Sequence, residues 1–433
     1  MKLKHIFLSI LLIAPFISQM ALAELRIEIT QGSDSALPIA IVPFSNKGAA
    51  AIPFDVARIV ANDLQRSGIF NTLSTSSMLS LPDNQAQIFY RDWRMLGQNY
   101  ILVGQISYDN NRKKYDINYE LVDVNSQKRL LGEKVSSSAK GLRKLAHYIS
   151  DKVYETITGV RGVFSTKIAY ITMKQLTQQK RTYRLQVADA DGQSDYTLFR
   201  SNAPMLSPAW SNDGKQLAYV SFHSGRPAIY IQNIKTGKQK KLTSFKGLNS
   251  SPMWAPDDKS LVMTLSKDGN AEVYRYNLID NKLDRLTNNY SIDTEASWSP
   301  KGDEIVFTSD RSGSPQVYSM NLSDRIAKRL TFDGTYNARP RFSRDGKSIY
   351  YVHRSDQGFN IAAIDIESGE QRVLTSTTLD DSPSVAPNGR MIIYSTLRDN
   401  KRQLAVISVD GGSKYFLPSS YGEVLEPAWS PFL

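Results

Sequence analysis

The chain has 433 residues, with 53 lysines and arginines, 42 aspartates and glutamates, and no cysteine. The lack of cysteine excludes thiol catalysis and cysteine-ligated metal sites, and the chain is long enough to bury a core without disulfides. The net charge of +11 leaves three interpretations open: binding of nucleic acid inside a cell, binding of anionic lipids or an acidic protein outside the cytoplasm, or solubility alone.

The first 23 residues are predicted to be a signal peptide. Lys2 and Lys4 precede an apolar run over residues 6–17, which is shorter than the about 20 residues of a membrane-spanning helix. Ala21-Leu22-Ala23 matches a small-residue cleavage site; the alternative is an uncleaved anchor, and the lack of a following cysteine excludes a lipoprotein anchor. We expect cleavage between Ala23 and Glu24. Without Lys2 and Lys4 the net charge of the exported protein falls from +11 to +9, and lipid headgroups or an acidic protein become better candidates than nucleic acid.

Apolar and polar residues alternate at the start of the mature chain, through Leu25, Arg26, Ile27, Glu28, Ile29 and Thr30. Residues 32–35 (GSDS) form a predicted flexible hinge. An amphipathic strand at a free end can pair with a sheet edge of its own protein or of another protein. The alternative is a structural edge strand of the N-terminal domain, and a switch between docked and released forms would reconcile the two.

Residues 24–160 are predicted to form an α/β domain. Apolar runs at residues 39–42 and 101–103 predict buried strands, and alternation over residues 115–121 predicts a strand with one solvated face. The spacing of apolar residues predicts three helices: one opening at Pro53, one around Trp93, and one over residues 142–157. About 130 residues are enough for a single small domain.

Residues 167–433 contain one motif six times. Its aromatic position recurs at intervals of 44, 44, 44, 43 and 44 residues, at Trp210, Trp254, Trp298, Phe342, Val385 and Trp429. Five copies lead into a turn of the SPDG type, and the sixth ends with Ser430-Pro431. A period near 44 built of short strands predicts a six-bladed β-propeller, in which the recurring aromatic residue packs between blades.

The first blade lacks the strand that carries this motif, whereas the last motif, at residues 426–430, has no blade after it. We therefore expect the C-terminal strand to complete the first blade and close the ring, because closure removes exposed sheet edges.

Motifs for catalysis are scarce. The chain has no G-x-S-x-G nucleophile elbow and no phosphate-binding G-x-x-x-x-G-K-[ST] loop. His147, His223 and His353 lack zinc-ligand spacing, and His147 is predicted to lie on a helix surface. Residues 189–192 (DADG) faintly resemble a calcium loop without its terminal glutamate and are predicted to form a surface turn. We expect no metal and no cofactor.

The loops that enter the innermost strands converge at one end of the ring, which we call the mouth of the propeller. They span residues 203–206, 247–251, 292–295, 336–339, 379–382 and 423–426. Their sequences vary and mix apolar with polar residues, which is typical of a protein-docking surface; the alternative is that they are unconstrained.

Together, the signal peptide, the α/β domain and six repeats closed by a final EPAWSP strand resemble the TolB family along the whole chain. The most specific segments are ELRIEIT (24–30), PIAIVPF (38–44), TGVRGVFSTKIAYI (158–171), SPAWSNDGKQLAYVSFHSGR (207–226) and EPAWSPFL (426–433). The chain departs from the pattern where Phe342 and Val385 replace tryptophan and where Asp258 and Lys301 alter the turn. These changes affect packing and leave the resemblance intact.

The resemblance implies a monomeric, non-enzymatic periplasmic component of the Tol-Pal system, which maintains the outer membrane and its constriction during division. It implies binding of the lipoprotein Pal at the mouth, of the inner-membrane protein TolA by the N-terminal segment, and of outer-membrane proteins as a further partner class, with no nucleic acid. The residues assigned to Pal are Leu248, Asn249, Ser251, Asp293, Thr294, Glu295, Asn337, Arg339, Asp380, Asp381 and Glu423. Those assigned to TolA are Glu24, Leu25, Arg26, Ile27, Glu28, Ile29 and Thr30.

Two other function classes remain open from the residues alone. One is an exported glycan hydrolase or lyase that uses carboxylates at the mouth, such as Asp380 and Asp381, although no general base is predicted opposite them. The other is a general peptide-binding or chaperone-like scaffold.

Overall fold

The computed structural model describes residues 27–29, 36–48, 51–418 and 421–433. The predicted signal peptide, its cleavage site at Ala23 and Glu24, and residues Leu25, Arg26 and Thr30 lie outside these ranges. None of the helices in the described ranges combines the length and apolar character needed to cross a bilayer. The first described strand is β1 (Ile27–Ile29).

The N-terminal domain contains a six-stranded mixed sheet. Its strands are β2 (Leu37–Ile41), β3 (Ser45–Asn46), β4 (Phe70–Thr72), β5 (Tyr100–Asp109), β6 (Lys114–Asp123) and β7 (Arg129–Ser137). The order is β4-β2-β5-β6-β7, with β3 beside β5. Strand β2 runs parallel to β4 and β5, whereas β5, β6 and β7 are antiparallel.

Three α-helices of the described residues cover this sheet: α1 (Val56–Arg66), α2 (Tyr90–Met95) and α3 (Leu142–Thr158). Helices α1 and α3 pack on one face, and Trp93 of α2 packs on the other. The first helix begins at Val56 rather than at Pro53, because the Asp55 side chain accepts a hydrogen bond from the Arg58 backbone N–H (3.0 Å) and caps it. The left-handed Gly159 ends α3 (φ +71°), as its position in the sequence predicted.

The rest of the chain is a six-bladed propeller of four-strand antiparallel blades, numbered 1 to 6 along the chain. The innermost strands of blades 1 to 6 are β31 (Glu423–Trp429), β11 (Met205–Trp210), β15 (Asn249–Trp254), β19 (Asp293–Trp298), β23 (Asn337–Phe342) and β27 (Asp381–Val385). The second strands are β8 (Lys167–Gln175), β12 (Gln216–Ser221), β16 (Ser260–Leu265), β20 (Glu304–Ser309), β24 (Ser348–Ser355) and β28 (Met391–Arg398). The third strands are β9 (Arg181–Asp189), β13 (Ala228–Asn233), β17 (Glu272–Asn277), β21 (Gln316–Asn321), β25 (Gly358–Asp365) and β29 (Lys401–Ser408). The outermost strands are β10 (Tyr196–Ser201), β14 (Gln239–Thr243), β18 (Leu283–Arg285), β22 (Ala327–Arg329), β26 (Gln371–Val373) and β30 (Ser413–Phe416).

The C-terminal strand closes the ring. Strand β31 pairs antiparallel with β8, so the last strand of the chain is the innermost strand of blade 1. This pairing confirms the closure that the unmatched final repeat predicted.

The recurring tryptophans join neighbouring blades. The indole N–H groups of Trp210, Trp254 and Trp298 donate to backbone carbonyls of the preceding blade, those of Ala428 (3.0 Å), Ala209 (3.1 Å) and Met253 (3.3 Å). A buried indole N–H needs such a partner. Phe342 and Val385 are buried at the same repeat position but carry no N–H, so this inter-blade bond has no counterpart from their side chains.

Strand β1 adds a fifth strand to blade 6. It pairs antiparallel with β30, with Ile27 opposite Tyr415, Glu28 opposite Lys414 and Ile29 opposite Ser413. The N-terminal segment is therefore docked on the propeller of its own chain and is not an edge strand of the N-terminal sheet.

Candidate protein-binding surfaces

One residue of each innermost strand turns its side chain into the axial channel near the mouth. These six residues, which we call the mouth ring, are Ser207, Ser251, Glu295, Arg339, Ser382 and Glu426. Each has a left-handed backbone (φ between 48° and 58°) and lies at a shift of strand register. A bulge of this kind re-aims a side chain. The channel that the ring opens into has a volume of about 480 Å³.

Arg339 is the centre of charge in the mouth ring. Its Nε lies 3.1 Å from Glu295 Oε1 and 3.3 Å from Asp381 Oδ1, and its Nη1 lies 3.8 Å from Glu426 Oε1. Burial alone would lower the pKa of Arg339, but these carboxylates raise it above its usual value. The guanidinium thus ties blades 4, 6 and 1 to blade 5, and three carboxylates around one cation leave an excess of negative charge.

The structure brings part of the predicted Pal set to the mouth. Ser251, Thr294, Glu295 and Arg339 line the channel, and Asp381 contacts Arg339. Two further predicted residues are at least partly accessible there, namely Leu248 in the loop before β15 and Glu423 at the start of β31.

Four other predicted residues are fully buried, namely Asn249, Asp293, Asn337 and Asp380. They occupy the same repeat position, two residues before the mouth ring, and hold the preceding loop. Asn249 donates to the Phe245 carbonyl (2.9 Å), and Asn337 donates to the Asp333 carbonyl (2.8 Å).

The two buried carboxylates of this set, those of Asp293 and Asp380, also accept hydrogen bonds from neighbouring side chains. Asp293 accepts from Arg311 (2.8 Å) and from Asn289 (2.7 Å), and Asp380 accepts from the Thr377 hydroxyl. With Asp380 buried and Asp381 paired with Arg339, the two neighbours do not present a pair of carboxylates to the channel.

Most of the large exposed apolar side chains at the mouth were missed by the sequence-based assignment, which named only Leu248 among them. Tyr290 is fully exposed, Phe332 is 71% exposed and Ile292 is 51% exposed; Phe245 and Leu248 are also exposed. All lie in loops that lead into the innermost strands of blades 3, 4 and 5. Aromatic residues inside polar loops were the available signal, because such residues are enriched where partners bind.

The outermost strand of blade 6 differs from those of the other blades. All four residues of β30 are buried, whereas most residues of the other five outermost strands are at least partly exposed. The end of α1 covers this region: a Cβ added at Gly68 would lie 2.3 Å from Ser413 Cβ. Strand β1 therefore pairs with a strand that already lies between the two domains.

A buried charged cluster joins the two domains beside β30. Its members are Asp63 and Arg66 on α1, Arg143 and His147 on α3, Asp189 at the end of β9 and Asp191 in the turn that follows. His147 is not the predicted helix-surface residue: it is 1% exposed, and its Nδ1 lies 2.7 Å from Asp63 Oδ2. The turn at residues 189–192 likewise lies against the N-terminal domain, because Arg66 and Arg143 bind its carboxylates.

His147, Asp189 and Asp191 lie close enough together to share a metal ion. Cations of the chain already bind both carboxylates, since Arg143 Nε lies 3.2 Å from Asp189 and Arg66 Nη1 lies 3.6 Å from Asp191. This arrangement favours an ion-pair network over a metal site.

Comparison with known proteins covers both domains. A family model of the TolB amino-terminal domain matches residues 25–130, and one of the TolB beta propeller domain matches residues 154–433. A Tol-Pal system protein TolB of Hahella chejuensis is 56% identical over 430 residues, which cover 99% of both chains. One of Pseudomonas aeruginosa is 53% identical over 407 residues, which cover 94% of both chains. A crystal structure of TolB from Acinetobacter baumannii matches 94% of this chain and 100% of its own, with 43% identity and a TM-score of 0.86. The chain therefore belongs to the TolB family of Tol-Pal system proteins.

Proposed function

We propose that this protein is a non-enzymatic periplasmic component of the Tol-Pal system, which binds Pal at the propeller mouth and TolA through its N-terminal segment. The observation that carries the proposal is the similarity over 99% of both chains to a Tol-Pal system protein TolB. In this role the protein links the outer-membrane lipoprotein to the inner membrane and supports outer-membrane integrity and constriction during division.

The mouth has the composition of a protein-docking surface. Exposed aromatic and aliphatic side chains lie in the loops beside the mouth ring, and the ring adds charged groups to the same surface. A few buried aromatic contacts supply most of the binding energy in such interfaces, and polar groups supply orientation. We therefore assign the main contacts with Pal to blades 3 to 5.

Replacing Tyr290 or Ile292 by alanine should weaken Pal binding about 30-fold, because a central apolar contact contributes roughly 2 kcal/mol. Calorimetry with the soluble part of Pal measures the affinity. Ile279→Ala is the matched control, since Ile279 is exposed (71%) in blade 3, next to the loop of Tyr290 and Ile292 along the chain, but lies in the hairpin between β17 and β18, at the opposite end of the propeller. Wild-type affinity in Tyr290→Ala and Ile292→Ala, or an equal loss in Ile279→Ala, would contradict this assignment.

The N-terminal segment is suited to strand addition. Strand β1 is the terminal strand of a five-stranded sheet, and an extended segment can offer its main-chain groups to a partner strand. Removal of residues 24–35 should abolish TolA binding, and Pal binding by the same variant should persist and serves as its internal control. Retained TolA binding would exclude the segment as the TolA site.

Docking and release of β1 provide a means of coupling the two partners. Pal bound at the mouth would shift β1 towards either the docked or the released state and thereby change its access to TolA. Linkage then requires each partner to change the affinity of the other by the same factor. Calorimetry of each partner in the presence of the other measures this factor, and a factor of one in both directions would exclude coupling.

A further inference from the structure

Below the mouth ring, the channel is lined mostly by uncharged side chains. The residues two positions after the mouth ring are Ala209, Met253, Ser297, Arg341, Ser384 and Ala428. Arg341 is the one charged residue of this second ring. At the far opening, the lining residues are Asn212, Pro256, Pro300, Arg344 and Pro431, and Arg344 is again the one charged residue.

The two guanidinium groups have few polar partners. Arg341 Nη1 donates to the Pro340 carbonyl (2.8 Å), and Arg344 Nε donates to the Ala386 carbonyl at 3.4 Å. Within the described residues, neither group has a carboxylate within the 4.0 Å of an ion pair. Burial lowers the pKa of Arg341 to about 10, although Glu295, Glu426 and Asp381 act in the opposite direction.

The carboxylates nearest to Arg341 already bind Arg339, at 3.1 to 3.8 Å. Charge is therefore unevenly distributed along the channel. Negative charge is in excess at the mouth, whereas two arginines with unused donors lie deeper in the channel and at its far opening. Both arginines lie within two residues of Phe342 in the chain, in the sector where Phe342 and Val385 replace the larger tryptophan.

We propose that the channel binds a small oxyanion, of the phosphate or carboxylate class, between Arg341 and Arg344. A planar guanidinium with unused donors binds such oxygens in pairs, and the uncharged side chains around the two arginines offer no competing carboxylate. The carboxylates of the mouth repel anions, so the ligand enters from the far opening, beside Arg344. This site is separate from the protein-binding surface at the mouth.

Titration of the full mature protein with inorganic phosphate tests the site, by calorimetry and by the melting temperature at ionic strength matched with sodium chloride. We expect saturable binding and a rise in melting temperature. Arg341→Gln should weaken binding at least about tenfold, and Arg341→Lys should weaken it less, because it keeps the charge but loses the paired donors. A parallel titration with succinate decides whether the site prefers a carboxylate.

Arg372→Gln is the matched control, because Arg372 donates to the Val409 carbonyl (2.8 Å) but lies on the outermost strand of blade 5. It should bind phosphate as the wild type does. If Arg341→Gln does not fold, Arg344→Gln at the exposed opening replaces it. The absence of saturable binding of both anions, or wild-type affinity in the channel variants, would overturn the proposal.

Discussion

A chain that lacks residues 426–433 is expected to lose the native propeller, because these residues include most of the innermost strand of blade 1. Trp429 is 5% exposed, and its indole N–H donates to Thr166 Oγ1 (2.8 Å). Ser430 exchanges two hydrogen bonds with the Lys167 backbone, at 2.8 and 2.9 Å. Without the strand, blade 1 and blade 6 would expose apolar faces that now pack together.

The single substitution Trp429→Ala measures the same effect in a chain that keeps its strand. The loss of a buried tryptophan should lower the free energy of unfolding by about 3–5 kcal/mol. Val385→Ala, at the same repeat position of blade 6, is the matched control and should cost roughly 1–2 kcal/mol, because far fewer buried atoms are removed. Thermal and denaturant unfolding measure both. A truncated chain that melts at the wild-type temperature would refute closure as the source of stability.

Asp63→Asn is expected to have the second large effect, a loss of about 3–5 kcal/mol in the free energy of unfolding, because it removes one partner from a buried ionic network. Asp63 is fully buried and accepts hydrogen bonds from Arg66, His147 and Ser150. Its loss leaves two buried cations with less compensation. Glu155→Gln is the control: it breaks the exposed pair of Glu155 with Lys152 on α3 (3.2 Å) and should cost less than about 1 kcal/mol.

The same cluster gives the stability a dependence on pH. Burial alone would lower the pKa of His147, but Asp63 and Asp191 raise it above the usual value. A raised pKa in the folded state contributes stability that is fully present below about pH 6.5 and is lost as the pH rises through the raised value. The wild type should therefore lose stability over that window, and His147→Gln should lose less. Equal pH profiles of the two proteins would contradict this role of His147.

The repeats of the sequence predicted the propeller well because a repeating blade imposes a repeating pattern. The six copies of the motif, of which Trp210, Trp254 and Trp298 show the spacing, predicted the number of blades, and the unmatched motif at Trp429 predicted the closure. Each of these inferences rests on local sequence and on the general cost of an exposed sheet edge.

The sequence predicted the mouth as a region but not the role of each residue within it. Asn249 and Arg339 both lie in loops or strand starts at the mouth, yet Asn249 is buried and holds its own loop, whereas Arg339 enters the channel. The difference comes from the left-handed bulge at Arg339, which rotates one side chain per strand towards the axis. Spacing along the chain does not report that rotation.

The sequence by itself determined the fold class, the sixfold repeat and the closing strand, since these depend on patterns that recur along the chain. Only the tertiary structure brought Asp63 and His147 to Asp191, left Arg341 without a carboxylate partner among the described residues, and placed β1 on β30. These contacts join residues far apart in the chain, and the energies that decide them, the desolvation of charges and the pairing of a sheet edge, depend on which groups meet in space.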